Sequence, residues 1–291
     1  MTMDDQSGKL YLVATPLGNL EDITQRALRI LREVDLIAAE DTRHTLKLLN
    51  YFQIKKKMIS YYRHNERERT AAIIPRLLAG ESVALVTDAG MPGISDPGNI
   101  LVAAAISRDV TVVPVPGPSA LILALAASGF DTTSFRFEGF LPRKARERET
   151  VLRELSNYPG TIVFYEAPHR LETALASLLA ILGDRRAVLA RELTKIHEEF
   201  IRGGLRDLSR TVSERAEAKN LRGEFCLVIE GYAPGQENRQ NSTQVAGEDQ
   251  ETGVNASQKS LREELRAVAA KTGKSTKELY RMYLAEKNPK K

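Results

Sequence analysis

The chain contains no tryptophan, a single cysteine, and only 6% aromatic residues among its 291 positions. One thiol excludes a disulfide framework and fits a reducing compartment. That residue, Cys226, lies inside the apolar run GEFCLVIEG with no helix start beside it, so it reads as a small core residue and not a catalytic thiol. Long hydrophobic runs are missing too: stretches such as Leu121 to Ala127 fall far short of a membrane span. The opening MTMDDQSGK is polar and acidic and has no likeness to a signal peptide, so a cytoplasmic protein without a membrane partner is expected. Neither G-x-G-x-x-G nor G-x-x-x-x-G-K-[ST] occurs, which excludes the usual dinucleotide and P-loop cradles. His44, His64, His169 and His197 lack metal-ligand spacing, and no metal is expected.

What is present is strongly patterned. Hydrophobic residues make up 42% of the chain, ample for a buried core and long enough for two α/β domains. Strand candidates at 10–15, 35–40, 57–62, 82–87, 110–114, 134–138, 161–165, 186–191 and 224–231 alternate with amphipathic segments. DITQRALRILREV is one of these, with Ile23, Ala27, Ile30, Leu31 and Val34 on a single face. The rhythm predicts mostly parallel sheet with crossover helices. Nine strands are generous for one sheet, so two α/β domains, 1–117 and 118–232, are expected to meet near PGPS at 116–119.

Net charge is +4, and it is unevenly spread. Residues 258–291 carry ten Lys/Arg against four Glu, while 233–257 are weakly acidic, without aromatics, and read as a flexible linker. After the linker, Ser260/Glu263 and Ser275/Glu278 form two capping boxes with Gly273 between them, which predicts a basic helix-turn-helix-like hairpin at 258–291. An amphipathic pair docked on the body or on a second subunit is the plain alternative. The positive charge favours a polyanionic partner.

Three strand candidates end in Gly/Pro-rich loops: Pro16-Leu17-Gly18, then TDAGMPGISDPG at 87–98, and VPGPSA at 115–120. Tight turns alone would explain any one of them, but explain three at strand ends poorly. In parallel sheets ligands bind beyond the carboxyl ends of strands, and glycines let exposed backbone N–H groups meet a polar ligand.

The ordered set ATPLGNLEDIT, AEDTR, TDAGMPGISDPG, PGPSA, FEGFLPRK, FYEAPHR and ARELTKIHEE closely resembles the tetrapyrrole methylase superfamily. Within it the set is similar to the ribosomal RNA small subunit methyltransferase I family, over about residues 10–232, with a C-terminal hairpin also typical of that family. The resemblance implies a two-domain class III methyltransferase fold with S-adenosylmethionine in the interdomain cleft. It implies 2′-O-methylation of a cytidine ribose in the decoding region of 16S ribosomal RNA, within the small subunit, by a homodimer. Carried over, the cofactor-binding residues are Leu17, Gly18, Asp88, Ala89, Gly90, Ile94, Ser95, Ser119, Ala120 and Tyr165, with neighbours of Arg191 behind the adenine. Precorrin enzymes carry a glycine-rich first loop and a GDP-type second loop, where this chain has TPLGN and TDAGMPG.

Methyl transfer to an alcohol needs in-line positioning and an exit for the hydroxyl proton. Candidates for orienting the ribose and taking the proton are Glu40, Asp41 and Arg43, then Arg63, His64, Asn65 and Glu66, and Glu166. Few of the nine Tyr and eight Phe fall in the strand-exit loops, which argues for a sugar rather than a stacked, extruded base as acceptor. The run Arg143, Lys144, Arg146, Arg148, Arg153 is a solvated face or, at a cleft rim, a phosphate contact. Two other functions share these motifs: a small-molecule tetrapyrrole methylase, which has no evident use for the basic hairpin, and a non-catalytic RNA-binding protein, which has none for ionisable groups at the cleft.

Overall fold

The structure is a computed structural model, and it describes residues 8–234. The expected hairpin at 258–291, and all but the first two residues of the expected linker, lie outside the described residues.

The first sheet has the order β3-β2-β4-β1-β5 and is parallel throughout, from β1 (Leu10–Val13), β2 (Leu36–Ala39), β3 (Met58–Ser60), β4 (Val83–Val86) and β5 (Val112–Val115). Helices cover both faces, so the central strands LIAA and VALV have no polar side to show and are buried at every position. On one face α1 (Gln25–Glu33) and α2 (Thr42–Tyr51) pack Ala27, Ile30, Leu31 and Leu49 against Val13, Ile37 and Val86. On the other, α3 (Glu66–Leu78) and α4 (Asn99–Ile106) pack Ile73, Leu77, Leu101 and Ala105 against Leu10, Leu36 and Leu85. Local chemistry sets the helix starts. Thr24 accepts the Ala27 N–H at 3.1 Å to open α1, and Asp41 accepts the Arg43 N–H at 2.8 Å to open α2.

This order makes β1 and β4 neighbours whose crossovers leave to opposite faces, α1 to one and α4 to the other. A crevice opens where the crossovers diverge, beyond the carboxyl ends of these two strands.

The second sheet departs from expectation. Its order is β6-β7-β10-β8-β9, from β6 (Phe135–Phe140), β7 (Thr161–Glu166), β8 (Arg186–Arg191), β9 (Glu199–Gly204) and β10 (Phe225–Ile229). Only β6 and β7 are parallel, and the other three pairings are antiparallel. The strand β9 was not expected: EFIRGG has a charge inside it and two terminal glycines, and at the sheet's edge it needs no continuous apolar run. Alternation with period two is clean here. Ile162, Phe164, Leu189, Leu227 and Ile229 face a core with α6 (Ala145–Leu155), α7 (Pro168–Leu182) and α8 (Leu205–Glu217), while Val163, Val188, Cys226 and Val228 face α5 (Ala120–Ser128). No helix among the described residues is long and apolar enough to cross a membrane.

Candidate active site

A cavity of about 330 Å³ lies where the exits of β1 and β4 meet the ends of β7, β8 and β10 and the start of α5. Sequence motifs far apart reach it for separate reasons. β1 delivers Leu17. β4 delivers Asp88, Ala89 and Gly90, then Ile94 and Ser95, and α5 begins there at Ser119 and Ala120. Because β10 runs antiparallel to β7, its first residues sit beside the last of β7, which puts Phe225 and Cys226 next to Tyr165 and Glu166. Ala190 and Leu193, which flank Arg191, complete that wall.

Nine of the ten predicted cofactor residues therefore line one cavity: Leu17, Asp88, Ala89, Gly90, Ile94, Ser95, Ser119, Ala120 and Tyr165. Gly18 does not. A Cβ there would lie 2.6 Å from the Lys195 side chain, so its role is to let that lysine pack over the β1 exit. Gly90 has φ +84°, a conformation costly for any other residue but Asn or Asp. Its N–H and C=O both pair with Thr15 at 3.0 Å, so the loop is stitched to the β1 exit and this N–H is spent, contrary to the expectation of an open donor. Ser119 makes no side-chain capping bond, and it and Ala120 line the cavity at the start of α5. The Tyr165 hydroxyl accepts the Leu121 N–H at 3.0 Å, and burial pushes its acidity constant up to about 12. Cys226 is buried, its thiol pushed up to about 12 by burial. As expected it is a core residue, although it also touches the cavity.

A second cavity, of about 480 Å³, abuts the first. The two share Glu40, Ser95, Asp96, Phe140 and Ala167. Beyond that common wall Arg63, Arg143 and Arg170 make the second cavity cationic, and His169 lines it beside them. A third, of about 330 Å³, lies behind Glu166 and is lined by Arg143, Arg148, His169 and Arg170. Of the basic run on β6–α6, Arg143 and Arg148 face these cavities. Arg148 is already tied to Ser177 Oγ at 2.9 Å and to two carbonyls, and Lys144 pairs with Glu147 at 2.9 Å.

The predicted catalytic residues divide. Glu166 is at the wall of the first and third cavities, with one carboxylate oxygen accepting the Ala167 N–H at 2.9 Å and facing Arg170 Nε at 3.3 Å. Its other oxygen, Oε2, is buried without a partner, and desolvation raises its acidity constant. Asp41 and Arg43 line none of the three cavities. They form an exposed ion pair at the start of α2, and the Arg43 hydrogen bonds hold Asp41 down at about 2. His64 is exposed, edge-on to Tyr62 at 6.3 Å. Glu66 lines no cavity either. It accepts the Gly98 N–H at 3.0 Å and fixes the far end of the β4 loop. None of the four lines a cavity: Asp41 caps α2 and holds Arg43, Glu66 holds the Gly98 N–H, and His64 stands exposed beside Tyr62.

Carboxylates do gather at the crevice. Glu40 accepts the Asp88 N–H at 3.3 Å, and Asp88 accepts the Asp41 N–H at 3.2 Å, a reciprocal clasp between the exits of β2 and β4. Burial raises Glu40. Asp96 is raised to about 7, first by burial and then by Glu40 and Asp88. Sequence reasoning missed Asp96 although it lies inside the TDAGMPGISDPG motif; its Asp-Pro-Gly ending was the available signal. It also missed Phe140 and the Gly223–Glu224 approach to β10. A register shift between Phe137 and Gly139 breaks the alternation of β6, and Phe140 lines the cavity. The cleft is accordingly less poor in aromatics than expected, with Phe140, Tyr165 and Phe225 in its wall.

Residues 9–209 match the family model of tetrapyrrole (corrin/porphyrin) methylases. The chain is 51% identical over 227 residues to the ribosomal RNA small subunit methyltransferase I of Halalkalibacterium halodurans, covering 78% of this chain and 77% of that one. It is 49% identical over 265 residues to the protein of the same name from Synechocystis, covering 91% and 88%. Among solved structures, uroporphyrin-III C-methyltransferase of Thermus thermophilus complexed with S-adenosyl homocysteine is similar in fold, with 20% identity, a TM-score of 0.53, and coverage of 77% of this chain and 97% of that one. The methyltransferase CobJ gives a TM-score of 0.58 at 19% identity, covering 78% and 95%. The motifs at the strand exits, the crevice they build and these likenesses agree, and the chain belongs to the tetrapyrrole methylase family, with the proteins called ribosomal RNA small subunit methyltransferase I.

Proposed function

We propose that this protein is a ribosomal RNA methyltransferase that uses S-adenosylmethionine and places the methyl group on the ribose 2′-hydroxyl of a cytidine in the decoding region of 16S RNA. Relatives about half identical bear the name of a small-subunit ribosomal RNA methyltransferase, and a structural relative was solved with the demethylated cofactor. The cytidine, the decoding region and the homodimer come from the motif resemblance, and the cytoplasmic location from the composition of the sequence. The observation that carries the reading is the pair of cavities with a common wall, one lined by loop backbone and apolar side chains, the other ringed by cations.

The first cavity fits the cofactor on the chemistry of its wall. S-adenosylmethionine supplies a methyl group on a positively charged sulfur. Glu40, Asp88 and Asp96 give the cavity negative character, suited to that charge and to an ammonium group. The uncapped start of α5 at Ser119 suits a carboxylate. Leu17, Ile94 and Ala120 supply apolar surface, and Gly90 leaves room at the stitched loop. Gly18 supports this side by admitting Lys195 over the β1 exit. In the second cavity, Arg63, Arg143 and Arg170 suit the phosphates flanking an acceptor nucleotide. Glu166 holds Arg170 in place from behind.

The test is incubation of small ribosomal subunits with the protein and labelled cofactor, followed by alkaline hydrolysis. A 2′-O-methyl group blocks cleavage of the adjacent phosphodiester, so one alkali-resistant dinucleotide is expected. Label recovered on a free base, or accepted by a porphyrin and not by RNA, would replace this reading.

A further inference from the structure

We propose that Glu166 reads the base of the acceptor nucleotide, its unpartnered carboxylate oxygen accepting the exocyclic amine of cytosine in the third cavity; the inference rests on the reading above that the acceptor is an RNA cytidine. The placement begins in the chain. Glu166 ends β7 and α7 starts at Pro168, so His169, Arg170 and Thr173 follow the glutamate at the spacing of one helix face. All three line the third cavity with it, and Arg143 and Arg148 join them from the approach to α6 and its first turn. Glu166 is only 3% exposed. Its two oxygens are unequal: Oε1 accepts the Ala167 N–H at 2.9 Å and faces Arg170 Nε at 3.3 Å, whereas Oε2 is buried with no partner. A buried acceptor without a donor is costly, and more so when it is charged. Burial raises the acidity constant of Glu166 against the pull of the Ala167 amide, Arg170, His169 and Arg148. Positive charge is thus already beside the carboxylate, and what Oε2 lacks is a hydrogen-bond donor.

The missing donor selects the ligand. A phosphate oxygen has no proton to give at neutral pH, and an anion would meet the carboxylate with like charge. The wall asks instead for a neutral group that carries a donor for Oε2 and acceptors for a guanidinium beside it. The edge of a nucleobase is such a group, and a cavity of about 330 Å³ has room for a pyrimidine ring. Cytosine carries its amine at one end of that edge, with the N3 and O2 acceptors next to it, and a carboxylate is the natural partner of the amine. Uracil has O4 where the amine stands, and a carbonyl turned to Oε2 leaves both oxygens unpaired.

The neighbours fit this assignment. Arg170 donates to the Leu141 carbonyl, and Arg148 donates to Ser177 and to two carbonyls, so both are tied to the protein. Arg143 is exposed and has no such tie among the described residues, which leaves its guanidinium for N3 and O2. No Phe, Tyr or Trp lines the cavity, so a base there is held by its edge and not by an aromatic stack. The cavity also adjoins the reaction. It has Glu166 in common with the first cavity, and Arg143, His169 and Arg170 in common with the second. A nucleotide whose ribose stands at the wall between the first two cavities can therefore extend its base into the third.

The experiment compares wild type with Glu166→Gln on two substrates, small ribosomal subunits with the natural acceptor cytidine and subunits reconstituted with uridine in its place. The readout is the ratio of the two methylation rates within each protein. Weaker cofactor binding or a displaced Arg170 slows both reactions alike and leaves that ratio unchanged, whereas loss of a contact to the base moves it. Wild type should favour cytidine about tenfold or more. Glu166→Gln, whose amide can turn a donor toward O4, should bring the two rates to within about twofold of each other or invert the preference. Equal rates in wild type overturn the inference, as does a Gln variant that is slower but keeps the wild-type ratio. If the Gln variant does not fold, wild type decides by itself on subunits carrying pyrimidin-2-one riboside, cytidine without its amine, at the acceptor position. A loss of about tenfold there supports the contact, and a rate equal to that on cytidine overturns it. The reading of the reaction fails by a different result, a wild-type product on the cytidine subunits that alkali cleaves at the methylated nucleotide, whatever the ratio.

Discussion

In the first sheet all five strands run one way, so every carboxyl end opens at the same edge and the Gly/Pro-rich exits of β1 and β4 gather there. In the second, antiparallel neighbours send successive ends in opposite directions, and the ends of β6, β7 and β8 and the entry of β10 reach the crevice. The first sheet thus contributes loops, held by backbone bonds such as Thr15 to Gly90, and the second contributes a rigid wall of strand residues. Loops beside a fixed wall suit a site that must admit one small ligand and then a much larger one.

That division can be broken at either side, and the largest effect belongs to the wall. Phe164 is fully buried in the core of the second sheet, between strands that carry the crevice residues. Phe164→Ala should cost about 3–5 kcal/mol of stability by the cavity it leaves, read from urea unfolding. A loss below 1 kcal/mol would mean that the wall is not the rigid partner. On the loop side, Gly90→Val forces a β-branched residue to φ +84° with its Cβ 3.4 Å from Leu17. Cofactor affinity by calorimetry should fall about tenfold or more, while unfolding changes less than for Phe164→Ala.

The loop's charges give a sharper test. The Asp96 acidity constant is raised on folding from 3.8 to about 7, so the folded state binds more protons than the unfolded one between those values. Its contribution to stability therefore falls as pH rises through that window and is at its worst above about 7. Asp96→Asn should stabilise the protein at pH 8, by up to about 2 kcal/mol after solvent screening, with the gain vanishing toward pH 4. Equal gains at both values would exclude titration as the cause. The smallest effect is expected far from the crevice. Arg215 on α8 grips Glu199 of β9 at 2.6 and 2.7 Å, both partly exposed, and Arg215→Met should cost about 1 kcal/mol or less in the same unfolding assay.

Much of this was legible in the chain. The apolar runs located nine of the ten strands, because a buried strand needs an uninterrupted or alternating apolar face whatever its neighbours. The edge strand β9 escaped for the converse reason, being half-exposed and charged. Strand direction in the second sheet was not legible either, since period two is the same in parallel and antiparallel pairs. Among site residues, the loop positions Leu17, Asp88, Ala89, Gly90, Ile94, Ser95, Ser119 and Ala120 and the strand-end Tyr165 reach the cavity because they sit at strand ends and a helix start that a motif can mark.

The polar residues were a different matter. AEDTR offers Glu40 and Asp41 side by side, yet alternation at the end of β2 sends Glu40 to the crevice while the start of α2 takes Asp41 as its cap. Glu66 likewise belongs to a backbone N–H and not to a ligand. By itself the sequence determined where strands end, where helices are capped and which loops are glycine-rich, because those follow from burial and backbone sterics within a few residues. The tertiary structure alone decided that β1 and β4 lie together and that Glu40 and Asp96 share one wall. It also decided that burial, Glu40 and Asp88 act together on Asp96, since the field on a carboxylate comes from every chain segment folded against it.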